Sequence, residues 1–140
     1  MNYYVICWEK YADFSGRARR EEYWMFSLIN TIVLIILFFI GVLANPNDGI
    51  GEFNFLYGLF YLSIIIPKIA VTVRRLHDTN NSGWMSLISL IPIIGWIWII
   101  VLLVTEGDAK KNKYGKNPKQ LTNEQKTSVA EEEILRETDT

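Results

Sequence analysis

Three long apolar runs divide the chain, and nearly all charged residues lie before, between or behind them. The first, Tyr23 to Ala44, reads YWMFSLINTIVLIILFFIGVLA and contains no charge. At ~1.5 Å rise per residue a helix of this length crosses a bilayer core of ~30 Å. The second, Phe53 to Val73, is also long enough to span, but Pro67-Lys68 interrupts it. Proline removes a backbone donor and bends the helix, while Lys68 can snorkel toward the interface. The third, Trp84 to Thr105, is uncharged and is broken near its middle by Pro92 and Gly95. The pattern predicts an all-α, polytopic membrane protein with about three hydrophobic helical segments.

The polar stretches refine this picture. Tyr4, Cys7, Trp8 and Tyr11 fall at i, i+3, i+4 and i+7, so residues 2–12 predict a short helix with an aromatic face. Such a helix lies at the membrane interface or packs on the rest of the chain. Asp13 or Ser15 is a capping residue for a helix that continues into the first run. That start would put Arg17, Arg19 and Arg20 in the first turns, where the macrodipole disfavours cations. Lipid phosphate, a distant carboxylate or an anionic ligand would offset this, and positive-inside topology alone also places arginines there. The spacing further allows Arg17–Glu21 and Arg20–Trp24 contacts.

The turn-forming Asn45-Pro46-Asn47-Asp48-Gly49 and the loop to Glu52 carry acidic residues and no Lys or Arg, which predicts the extracytoplasmic side. Arg74 and Arg75 close the second helix on the cytoplasmic side. Asn81 or Ser82 is a candidate cap for the next helix. Asp78 is placed to pair with Arg74, Arg75 or the cluster from Arg17 to Arg20. The third run admits two readings, a single kinked span or a re-entrant hairpin covered by the other helices. We read three spans. The lysines at 110, 111, 113, 116 and 119 favour the hairpin instead, so the side of the tail stays open. Residues 1–118 read as the membrane domain. Residues 119–140 read as a polar, mobile tail, with a short helix signalled by Ser128 and Glu131.

Composition adds exclusions. The net charge of −1 says little, because the charges are segregated. Cys7 is the only cysteine and His77 the only histidine, so an intrachain disulfide and a His/Cys zinc site are both excluded. No metal or cofactor is expected. Polar and aromatic residues precede a first run longer than a signal h-region, so that run predicts a permanent anchor.

Three strings carry a resemblance. They are Lys10-Tyr11-Ala12-Asp13-Phe14-Ser15-Gly16-Arg17-Ala18-Arg19-Arg20-Glu21-Glu22-Tyr23-Trp24, then Arg74-Arg75-Leu76-His77-Asp78 with Ser82-Gly83-Trp84, then Ile91-Pro92-Ile93-Ile94-Gly95 with Asn112-Lys113-Tyr114-Gly115 and Asn117-Pro118. In order and spacing, residues 3 to 118 resemble the bacterial membrane family called domain of unknown function 805, which groups YhaH-like and YhaI-like inner membrane proteins. Lys116 departs from the proline or acidic residue common there. The resemblance implies a multi-pass protein of the bacterial inner (plasma) membrane and supplies no activity, substrate or catalytic residue.

The function expected is an interaction or structural membrane component, with its N-terminus cytoplasmic. Its basic face would bind anionic lipid or a protein partner through Arg17, Arg19, Arg20, Arg74, Arg75, His77 and Asp78. The alternative is a small transporter or channel subunit acting as a homo-oligomer, suggested by the two helix breaks. An enzyme is not expected: His77 and Asp78 are adjacent, do not face each other on a helix, and have no nucleophile motif beside them. Nucleic-acid binding is not expected either, since the basic clusters adjoin membrane segments.

Overall fold

The computed structural model describes residues 3–44 and 52–138. Helix α1 covers Tyr3–Glu9, α2 Arg20–Ala44 and α3 Glu52–Asp78. A 3-10 helix covers Gly83–Leu90, followed by α4 at Ile94–Val104 and α5 at Pro118–Thr138. Among the described residues the only β-type pairing is an isolated bridge between Asn112 and Gly115. The turn expected at Asn45 to Gly49 lies outside the described residues.

Helices α2 and α3 are antiparallel, because the start of one lies beside the end of the other. The Ala18 N–H donates to Arg74 O at 3.0 Å, and the Glu22 carboxylate meets Arg74 Nη1 at 2.7 Å. Both are long enough to cross a membrane, over Arg20–Leu43 and Phe55–Asp78, yet only 17% and 22% of their most apolar windows is buried. Ile32, Ile35, Phe39 and Leu43 on α2 and Leu59, Leu62 and Ile66 on α3 are exposed. A core helix of a water-soluble protein hides such residues; a helix pair solvated by lipid presents them. Burial is concentrated at one end, in two clusters. One joins Cys7, Ala18, Phe26 and Val71, and the other joins Leu76, Ile99 and Leu103.

The expected N-terminal helix is present, with its aromatic face turned inward. Tyr4 stacks on Phe26 at 5.6 Å, and Trp8 meets the same ring edge-on. Just beyond α1, Tyr11 repairs the break in α3. Pro67 has no N–H, so Ser63 O loses its usual i+4 donor. The Tyr11 hydroxyl donates to that carbonyl at 2.9 Å.

The start of α2 differs from the sequence reading. Residues 13–19 are not helical. Asp13 accepts from the Ser15 N–H at 2.9 Å, which bends the chain locally instead of capping α2, and Gly16 has φ 77°. Arg17 and Arg19 therefore lie outside the helix, where Asp78 and backbone carbonyls answer their charge. The first turn carries Glu21 and Glu22, the charge that end prefers. Arg17 does not pair with Glu21, and Arg20 reaches Val104 O at 3.4 Å, away from Trp24.

Helix α3 ends where Asn80 turns left-handed at φ 59°. Ser82 precedes the 3-10 helix without a side-chain cap. The third apolar run then folds back on itself, which corrects the single-span reading. Its start, at Gly83, lies against Val73 and His77, and its end returns beside the same end of α3, where Asp108 N–H donates to Asp78 O at 2.9 Å. Proline at 92 and Ile93, a β-branched residue at φ 65°, make the turn. Gly95 closes it, since a Cβ there would overlap Ile88 O. The indole N–H of Trp96 donates to Ser89 O at 2.9 Å, satisfying a carbonyl at the end of the 3-10 helix.

The helix signalled in the tail starts earlier than the sequence suggests. Helix begins at Pro118, not near Ser128, because Asn117 Oδ1 accepts the Lys119 N–H at 2.8 Å and proline suits the first helical position.

Candidate functional site

The shared end of α2, α3 and the hairpin holds the residues singled out from sequence. Asp78, the last residue of α3, is buried and accepts from two guanidiniums. Arg17 Nε reaches Oδ1 at 2.8 Å, and Arg75 Nη1 bonds Oδ2. Arg17 extends further, donating through Nη1 to Lys110 O at 2.8 Å and Gly115 O at 3.3 Å, and through Nη2 to Asp108 O. Arg75 donates through Nε to Leu103 O at 3.1 Å and through Nη2 to Thr105 O. One carboxylate and two arginines thus fasten the loop at 16–19, the end of α4 and the loop at 108–115 to the end of α3. Gly107 lies so close to Asp78 that an added Cβ would overlap the carboxylate.

A second pair stands beside the first. Arg74 is fully buried and bonds Glu22 Oε1 at 2.7 Å, while its Nε and Nη2 have no hydrogen-bond partner among the described residues. The Cys7 thiol lies 3.8 Å from the same Oε1. Burial, then the Glu22 carboxylate, pushes this thiol up to about 12. The thiolate is therefore scarce at neutral pH and Cys7 acts as a small apolar group. Counting both pairs, three guanidiniums face two carboxylates in a buried cluster.

His77 and Asp78 do not work on each other. The His77 ring stacks on Tyr114 with centroids 3.7 Å apart, and its Nδ1–H donates to Gly16 O at 3.2 Å. Among the described residues no cluster of three or more His, Cys, Asp or Glu is suited to a metal ion.

Arg19 and Arg20 have different surroundings. Arg19 is half-buried, donating to the Tyr3 hydroxyl at 3.2 Å and to Pro118 O at 2.8 Å. Arg20 is 39% exposed in its side chain and lies 3.9 Å from Glu106, which Lys119 also contacts at 2.7 Å. Of the seven sequence-predicted residues, Arg17, Arg74, Arg75 and Asp78 are therefore buried, His77 is half-covered by Tyr114, and Arg19 and Arg20 face outward. Sequence reasoning missed Glu22, Gly107 and the loop carbonyls from 108 to 115. Glu22 had one signal, a carboxylate in a cytoplasmic-side cluster whose arginines needed an anion.

The family described as "Protein of unknown function (DUF805)" matches residues 11–116. The chain is 43% identical over 119 residues to "Inner membrane protein YhaI" of Escherichia coli (strain K12), covering 85% of this chain and 97% of that protein. It is 40% identical over 119 residues to "Inner membrane protein YhaH" of the same organism, covering 85% and 98%. No solved structure matches. The matched region contains the ion cluster, both long apolar helices and the hairpin, and the chain belongs to the DUF805 family of helical membrane proteins.

Proposed function

We propose that the protein is a two-span component of the bacterial inner membrane with both termini in the cytoplasm. Its role is interaction or structure, through a basic face that attracts anionic lipid or a protein partner. The observation that carries this reading is the convergence of every basic cluster on one end of the helix pair. Arg17 to Arg20, Arg74 and Arg75, and Lys110 to Lys119 are tied together there, whereas the opposite loop carries Asp48 and no Lys or Arg. Positive-inside topology assigns the basic end to the cytoplasm. Each surface Lys or Arg near an anionic leaflet contributes about 1 kcal/mol. The names of YhaI and YhaH agree with the inner-membrane location.

The hairpin reading gives the test. A reporter active only in the cytoplasm is expected to work after Thr140, and one active only outside it is expected to work at Asn47. External activity after Thr140 would overturn the two-span reading. An oligomeric transporter would draw on the hairpin break at Pro92, but the exposed flanks of that break, including Ile91 and Ile93, are apolar and bring no charge to it.

A further inference from the structure

Some cations at the basic end are not consumed by the buried cluster, and three of them border one cleft. The cleft has a volume of about 340 Å³ and lies between α1, the loop at 16–19 and the start of α5. Its lining includes four cations, Lys10, Arg17, Arg19 and Lys116, and one carboxylate, Glu22. Arg17 is answered by Asp78 and Glu22 by Arg74. Lys10 and Arg19 have no ion-pair partner among the described residues, and Lys116 has only an exposed contact with Glu124 at 3.7 Å.

Arg19 is built to hold an anion. Two of its five N–H donors go to Tyr3 and Pro118, which fix the guanidinium, and three remain. A fixed planar fork matches phosphate geometry at little entropic cost, while the lysines act as point charges around it. The remaining walls include Ile6 and Leu121, which suit the apolar part of an amphiphile.

We propose that this cleft binds the phosphate group of an anionic lipid headgroup, with Arg19 as anchor and Lys10 and Lys116 as outer cations. The assignment rests on the basic-face reading above and narrows it to one site. The full-length protein in neutral detergent would be titrated with dihexanoyl-phosphatidylglycerol, dihexanoyl-phosphatidylcholine and inorganic phosphate, following intrinsic tryptophan fluorescence. Phosphatidylglycerol is expected to bind tightest. Lys10→Gln and Lys116→Gln are each expected to weaken it about fivefold, the equivalent of one surface charge. Arg19→Lys, which keeps charge and loses the fork, is expected to weaken it at least as much. Lys111→Gln, an exposed cation away from the cleft, is expected to leave it unchanged. If Lys111→Gln weakens binding as much as Lys10→Gln, the cleft is overturned and the diffuse basic face survives. If the wild type shows no preference for phosphatidylglycerol over phosphatidylcholine, the basic-face reading for lipid falls with it. Equal binding of inorganic phosphate alone would overturn the lipid source. Should Arg19→Lys fail to fold, the two lysine variants carry the test.

Discussion

Two sets of cations share one end of the α2–α3 pair, and their surroundings are opposite. Arg17, Arg74 and Arg75 are buried and face Asp78 and Glu22, and Arg17 and Arg75 also bond the backbone of segments far along the chain. Arg19, Arg20, Lys116 and Lys119 are wholly or partly exposed and find only neutral oxygens or solvent-screened carboxylates. In sequence the two sets look alike, since both are basic residues next to an apolar run. The difference teaches that positive-inside charge has two physical uses here. One cation in the series staples the fold, and its neighbour two positions on remains available to a ligand. Arg17 and Arg19 make the contrast sharpest.

The largest expected effect tests the stapling set. Asp78→Asn leaves two buried guanidiniums without their carboxylate and is expected to cost about 3–5 kcal/mol in denaturant unfolding in mild detergent. Arg19→Gln, losing hydrogen bonds to neutral acceptors, is expected to cost about 1 kcal/mol. Equal losses would erase the comparison. A smaller effect sharpens it without touching a charge. Gly107→Ala drives a methyl group into the Asp78 carboxylate and is expected to cost about 1–3 kcal/mol, whereas Gly58→Ala, with open space around it, is expected to cost nothing. A Gly107→Ala protein as stable as wild type would mean that Asp78 is not held as described.

The smallest effect belongs to the exposed set. The hydrogen bond and charge of Lys119, then the charge of Arg20, hold the Glu106 carboxyl below the usual carboxylate range. A depressed folded value adds stability above the unfolded value of ~4.3 and loses it as pH falls through the folded value. The groups are exposed, so solvent screens the pair. The acid limb of thermal stability for Glu106→Gln is therefore expected to superimpose on that of wild type. A displaced limb would move Glu106 into the stapling set.

The long apolar helices were legible because an apolar run of membrane length has one economical solution, a helix in lipid, which even Pro67 and Lys68 do not end. The family strings were legible for the same chain. The third run was not, because its composition suits one crossing or two half-crossings equally. Tertiary contacts decide it, namely the close approach of Gly95 to Ile88 within the run and the reach of Arg75 to Leu103 and Thr105. The start of α2 misled because Asp13 and Ser15 are good caps. Here Asp13 spends its oxygen on Ser15, and the Ala18 N–H goes to Arg74. Glu22 was missed as the partner of Arg74 because 52 positions separate them. The start of α5 was legible in principle, as Asn117-Pro118 is a cap followed by a residue suited to the first turn.

The bond from Tyr11 to Ser63 has a consequence in time. Synthesis delivers the donor first, and the acceptor follows 52 residues later. At ~5–20 residues per second that interval is roughly 3–10 s. During it α1 can pack on Phe26 of α2, but the Tyr11 hydroxyl has no carbonyl to close against, and the break at Pro67 does not yet exist. The fastening of Tyr11 is thereby tied to arrival of the second apolar helix. A side chain made before either long helix is fastened only after both, and its fastening reports that the return helix is in place.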